Sequence, residues 1–130
     1  MDSLQIRSGR IKLQILDDSG EERGIFSFNP NDIESAKRVV EVQKEFEIKN
    51  KEFQIKSKEC TTTEEKIKLL DEVVLYFREL IDNCFGEGSS QILFGDEKSI
   101  DMFYDFFEGI TPYYEKASED RMAKYMQPNK

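Results

Sequence analysis

Apolar and polar residues alternate along Ile11-Lys12-Leu13-Gln14-Ile15, and the alternation returns in Ile25-Phe26-Ser27-Phe28. A period of two marks strands with one face turned to a core. Between the two runs, Asp17-Asp18-Ser19-Gly20-Glu21-Glu22 has turn chemistry. Residues 4–28 therefore predict a β-hairpin, with Leu4 and Ile6 extending its first strand or pairing as a third. Two strands alone are marginal in water, so this hairpin must pack on the helices C-terminal to it.

After Phe28 the period lengthens. Asn29 suits an N-cap, Pro30 the first helical position and Asp32 the third. No Gly or Pro then interrupts the chain as far as Cys60, so the pattern predicts a helix over 30–60, entered through Ile33, Ala36, Val39, Val40 and Val42. Val39, Phe46, Phe53 and Cys60 recur every seven residues. Ile48 and Ile55 also stand seven apart, but about 200° around the helix from the two phenylalanines, at about 100° per residue. The distal half thus carries apolar side chains on two opposite faces. One face can be core; the other needs the hairpin, another copy or a partner.

Thr61-Thr62-Thr63-Glu64-Glu65 offers two capping boxes, Thr61 with Glu64 or Thr62 with Glu65. A second helix over 63–85 carries Ile67, Leu70, Val74, Phe77, Ile81 and Cys84 at amphipathic spacing and ends at Gly86, a natural C′ glycine. The short connection makes the two helices antiparallel neighbours. Cys60 and Cys84 then fall at opposite ends of a helical hairpin, roughly 30 Å apart at 1.5 Å per residue, too far for a disulfide. Two free thiols are expected. Gly86 to Ser90 reads as a flexible connection and Gln91 to Asp96 as a short apolar patch ending in a turn. A third helix is expected over 97–108, stopped by Gly109. Thr111 and Pro112 restart a fourth over 112–126. Gln127 to Lys130 read as a frayed end.

The whole is an α+β, mostly α, single domain over 1–130: an N-terminal β-hairpin packed on an antiparallel helical hairpin plus one or two C-terminal helices. Composition constrains its chemistry. There is no histidine among the 130 residues, which removes Ser–His and Cys–His nucleophilic arrangements and the commonest metal ligand. The two cysteines have no metal spacing, and the glycines match no phosphate-binding loop. Asp101 and Asp105, or Glu97 and Asp101, stand i, i+4 and could meet a hard cation, but no calcium-loop spacing accompanies them. The expectation is no enzyme, no cofactor and no metal site.

The net charge is −8. Residues 86–120 hold two basic and nine acidic side chains, whereas 121–130 hold three basic and none acidic. A phosphate backbone is repelled by such a surface, so direct nucleic-acid binding is disfavoured. No apolar run spans a bilayer and no apolar leader opens the chain, which points to a reducing cytoplasm. The C-terminal third is also rich in aromatics. Phe94, Tyr104, Phe107, Tyr113 and Tyr114, with Ile48 and Ile55, are the candidate partner-binding residues. Asp96, Glu97, Asp101, Asp105 and Glu108 are the candidate acidic rim that selects a basic partner. The competing reading makes the aromatics a core plug and the acids a solvated face.

One stretch supports a family resemblance. Cys84-Phe85-Gly86-Glu87-Gly88-Ser89-Ser90-Gln91, Leu93-Phe94-Gly95-Asp96, Met102-Phe103 and Phe106-Phe107-Glu108-Gly109-Ile110-Thr111-Pro112-Tyr113 resemble small tail assembly chaperones encoded by phages and prophages of Gram-positive bacteria. The Asn29-Pro30-Asn31-Asp32 entry to a long charged helix fits too, and the resemblance covers roughly residues 26–125. It implies a non-enzymatic protein in the cytoplasm of the bacterial host. Such a protein would bind the tape measure protein, keep its apolar helices soluble and help recruit the tail tube protein. The alternative is an acidic phage-encoded inhibitor of a host defence protein. Self-association is left open.

Overall fold

The computed structural model describes residues 1–125. The expected end segment from Gln127 to Lys130, and the last residue of the expected fourth helix, lie outside the described residues. The order is β1 (Ile11–Leu16), β2 (Glu22–Phe28), α1 (Ile33–Glu59), α2 (Thr63–Phe85), α3 (Ser89–Phe94) and α4 (Asp101–Tyr125). This is the α+β, mostly helical architecture that the patterning predicts.

β1 and β2 pair antiparallel, with Ile11 opposite Phe28 and Leu13 opposite Phe26. Their turn is held by Asp17, whose Oδ1 accepts from the Ser19 and Glu21 amides, both at 2.9 Å. Phe26 and Phe28 lie on the inner face and are buried. Leu4 and Ile6 join no strand; they are 85% and 81% exposed. The expected β extension therefore does not form, because those residues have no paired neighbour and no core beneath them.

α1 starts at Ile33, three residues later than expected. The cap is Asp32, which accepts from the Glu34 amide at 3.1 Å. Asn29 instead accepts from the Asn31 amide at 3.0 Å, an Asx turn that keeps Pro30 outside the helix. At the next junction Thr62 accepts from the Glu65 amide and Glu65 accepts in return from the Thr61 amide. The second of the two expected boxes therefore forms, with its return bond shifted by one residue. Phe53 shares a recess with Leu69 and Val73, while Val42 and Phe46 share one with Leu80 and Ile81, so α1 and α2 run antiparallel. Both cysteines are free.

The stretch read as a flexible connection and apolar patch is α3. Asp82 of α2 makes it helical: its carboxylate accepts from the Ser90 amide at 2.7 Å and the Ser90 hydroxyl at 3.1 Å. A carboxylate at the first turn of a helix satisfies amides that have no partner of their own. The two expected C-terminal helices are one. α4 runs through Gly109 and Pro112 without a break. Phe103, Phe107, Ile110, Tyr114 and Ala117 keep steps of four and three across the expected boundary and face inward together. Their burial outweighs the roughly 3 kcal/mol cost of an interior proline. Pro112 frees the carbonyl of Glu108, an exposed residue where water can reach it.

The core is aromatic. Phe46 meets Phe77 at 4.3 Å between ring centroids, Phe77 meets Phe103 at 5.3 Å, and Phe94 meets Phe103 at 4.7 Å. Phe26 brings the hairpin in through edge contacts with Phe85 and Phe106. α4 lies antiparallel to α1, tied by Ser35–Tyr114, Gln43–Thr111 and Asn50–Tyr104 hydrogen bonds. The α1–α2 tip projects past this body. Phe53 and Val73 are the last buried residues there, so Ile67 and Leu70, expected in the core, are exposed.

Candidate functional site

Two surfaces are candidate sites. The first is a groove between β1 and α4 with a volume of about 370 Å³. The inner face of β1 supplies Leu13 and Ile15, and α4 supplies Phe106 and Ile110. The strand's period of two and the helix's steps of three and four thus turn apolar side chains toward the same gap. Four carboxylates, Asp17, Asp18, Glu97 and Asp105, stand around this floor with a single cation, Arg23. That cation is already engaged: it donates to the Leu93 carbonyl at 2.9 Å and lies 3.5 Å from the Glu97 carboxylate. The groove therefore presents apolar surface inside an anionic rim. Gly109 sits on its α4 wall, where a side chain would meet open space.

The second surface is the outer face of α1. Ile48 and Ile55 are 61% and 62% exposed, and Ile33 and Val40 are exposed with them. At about 100° per residue the four fall within roughly 80° of arc, opposite the buried Val39, Phe46 and Phe53. Isolated exposed aliphatics are ordinary; four on one helical stripe are a pattern.

The expected site residues do not converge on one place. Phe94 and Phe107 are 3% and 8% exposed and belong to the core, Phe94 against Phe103 and Phe107 against Phe46. α3 and α4 turn both inward; Phe107 lines only an internal gap against Phe46 and Phe77, while Phe94 reaches the floor of the groove. Tyr114 is half-buried, stacked on Phe28, with its hydroxyl 2.9 Å from that of Ser35. Burial pushes the Tyr114 phenol up, with the Ser35 hydrogen bond opposing. Tyr104 lies exposed with its ring edge on Phe46 and its hydroxyl bonded to Asn50. Tyr113 joins the groove, set edge-on to Phe28.

The acidic rim divides as well. Glu97 and Asp105 edge the groove. Asp96 accepts from Gln91 at 3.0 Å. Asp101 lines a separate recess with Ile67, Leu70 and Ile100, and Glu108 is exposed on α4. The groove's other half, Leu13, Ile15, Asp17 and Asp18, is absent from the expected set. Their alternation and turn chemistry are visible in the sequence, but nothing local says that α4 lies opposite them.

Among the described residues, no group of three or more His, Cys, Asp or Glu side chains is placed to hold a metal ion. No helix among them is long and apolar enough to cross a membrane. The chain belongs to a family of unknown function (DUF6673), whose model matches residues 22–130. No curated protein and no solved structure matches it.

Proposed function

We propose that this member of DUF6673 works by binding another protein, without catalysis, as a chaperone of phage tail assembly in the cytoplasm of the bacterial host. Its client is the tape measure protein, the tail tube protein or both. The observation that carries the reading is the outer face of α1. Ile33, Val40, Ile48 and Ile55 form an apolar stripe on the side away from the core, where none of the described residues covers them. An amphipathic client helix laid along that stripe would bury it.

The test is affinity capture of the tagged protein from host cells during phage production, read by mass spectrometry. Tail components should be enriched by the wild type and lost with Ile48→Ser/Ile55→Ser. Both side chains face solvent, so the double variant should keep its folding stability to within about 1 kcal/mol. A large fall in its melting temperature would remove α1 as the contact face.

A second reading draws on the groove. Four carboxylates around an apolar floor suit a basic partner, as in an acidic inhibitor of a host defence protein. Enrichment of a host enzyme or nucleic-acid-binding protein without tail components, weakened strongly by salt, would favour it.

A further inference from the structure

The outer face of α1 carries charge in a regular series. Lys37, Lys44, Lys51 and Lys58 recur every seven residues and all are exposed. At about 100° per residue they fall inside the same arc as the four aliphatics. The stripe therefore reads Ile33, Lys37, Val40, Lys44, Ile48, Lys51, Ile55, Lys58, in steps of three and four throughout. Such steps are those of a seam between two helices. Among the described residues none of these lysines has an ion-pair partner; the pairs present are Arg23–Glu97, Lys49–Glu52 and Lys98–Asp71. One edge of the stripe is acidic, with Glu34, Glu41, Glu45, Glu52 and Glu59 all exposed.

We propose that this face docks a long amphipathic partner helix whose apolar seam carries a carboxylate once every seven residues. This rests on the protein-binding reading and adds the partner's chemistry. The lysines repeat about every 10.5 Å along the axis, and carboxylates at the same interval on a second helix stay in step with them. Each lysine then gains a counter-charge while the aliphatics between are covered. Five glutamates on one edge against one, Glu47, on the other turn such a partner's carboxylates to the less acidic side. A second copy of α1 fits poorly, because in either orientation its stripe brings four more lysines and no carboxylate to the seam. An anionic membrane fits poorly too, since five glutamates would meet its headgroups.

The probes are two fluorescent four-heptad helical peptides with leucine seams, one with Glu once per heptad and one with Lys at that position, measured by anisotropy against the full chain. The Glu peptide should bind, more weakly as salt rises, and the Lys peptide should not. Lys44→Glu/Lys51→Glu should weaken the Glu peptide by about tenfold and admit the Lys peptide. Circular dichroism should show the variant folded, since both positions are on the solvent face. Equal binding of both peptides, no binding of the Glu peptide, or capture by phosphatidylserine vesicles instead would each overturn the proposal. If the peptides fail while capture of tail components still depends on Ile48 and Ile55, the protein-binding reading stands and the carboxylate period falls.

Discussion

Cys84 shows what position does to a single side chain. It closes α2 against α1, and burial pushes its thiol up from 9.0 to about 11; Arg38 opposes the shift and Glu41 adds to it. At pH 8 very little of it is thiolate, and the thiolate is the reactive form. Iodoacetamide should therefore modify Cys84 slowly in the native protein and fully after unfolding, as peptide mass spectrometry would read. The same shift sets a pH dependence. A group kept neutral by the fold adds stability below its unfolded value and loses it as pH rises through the folded one. The melting temperature should fall between pH about 9 and about 11, and Cys84→Ser should flatten part of that fall. Burial raises Tyr114 as well, so its contribution has the same sign.

Among the elements, α2 and α4 make an instructive pair. α2 is legible because local signals agree: a threonine cap, amphipathic spacing and a terminal glycine all mark the same ends. Phe77 at its centre is 1% exposed. Phe77→Ala should cost about 3–5 kcal/mol in denaturant unfolding. In α4 the signals conflict. Gly109 and Thr111-Pro112 spell a stop and a restart, while the inward positions from Phe103 to Ala117 continue one helical period. Long-range packing decides, and sequence punctuation cannot weigh it. Gly109→Ala should therefore raise stability by about 0.5–1 kcal/mol, the ordinary gain of alanine over glycine inside a helix. A true break at Gly109 would give a loss instead. α3 was hidden for a related reason: its capping group, Asp82, stands on the preceding helix and not in its own first turn.

For the molecule as a whole, the segment between α3 and α4 is a junction. Arg23 reaches it from β2 through the Leu93 carbonyl. Arg78 reaches it from α2, donating to the Gly95 and Glu97 carbonyls at 2.6 and 2.8 Å. These bonds set Glu97 at the groove edge. Arg78→Met should speed amide exchange across residues 95–100 while leaving α1 and α2 protected. This scale also explains how little of the site was legible. The aromatic and acidic density of the C-terminal third singles out Tyr113, Glu97 and Asp105, and these line the groove. Their partners Leu13 and Asp17 enter from the other end of the chain, and only the closed fold brings them near.

That closure has a consequence for the order in which the protein comes into being. α1 and α2 are neighbours in sequence and can pair as soon as both exist, since short loops close fastest. The aromatic surface they then share, Phe46, Phe53 and Phe77, stays open until Phe103 and Phe107 arrive on the last helix. During synthesis at roughly 5–20 residues per second, the nascent chain carries this unfinished core for about one to four seconds. A chain halted before Asp101 would hold its helical hairpin and none of its lid. It should appear in the aggregated fraction, however well its first two helices form.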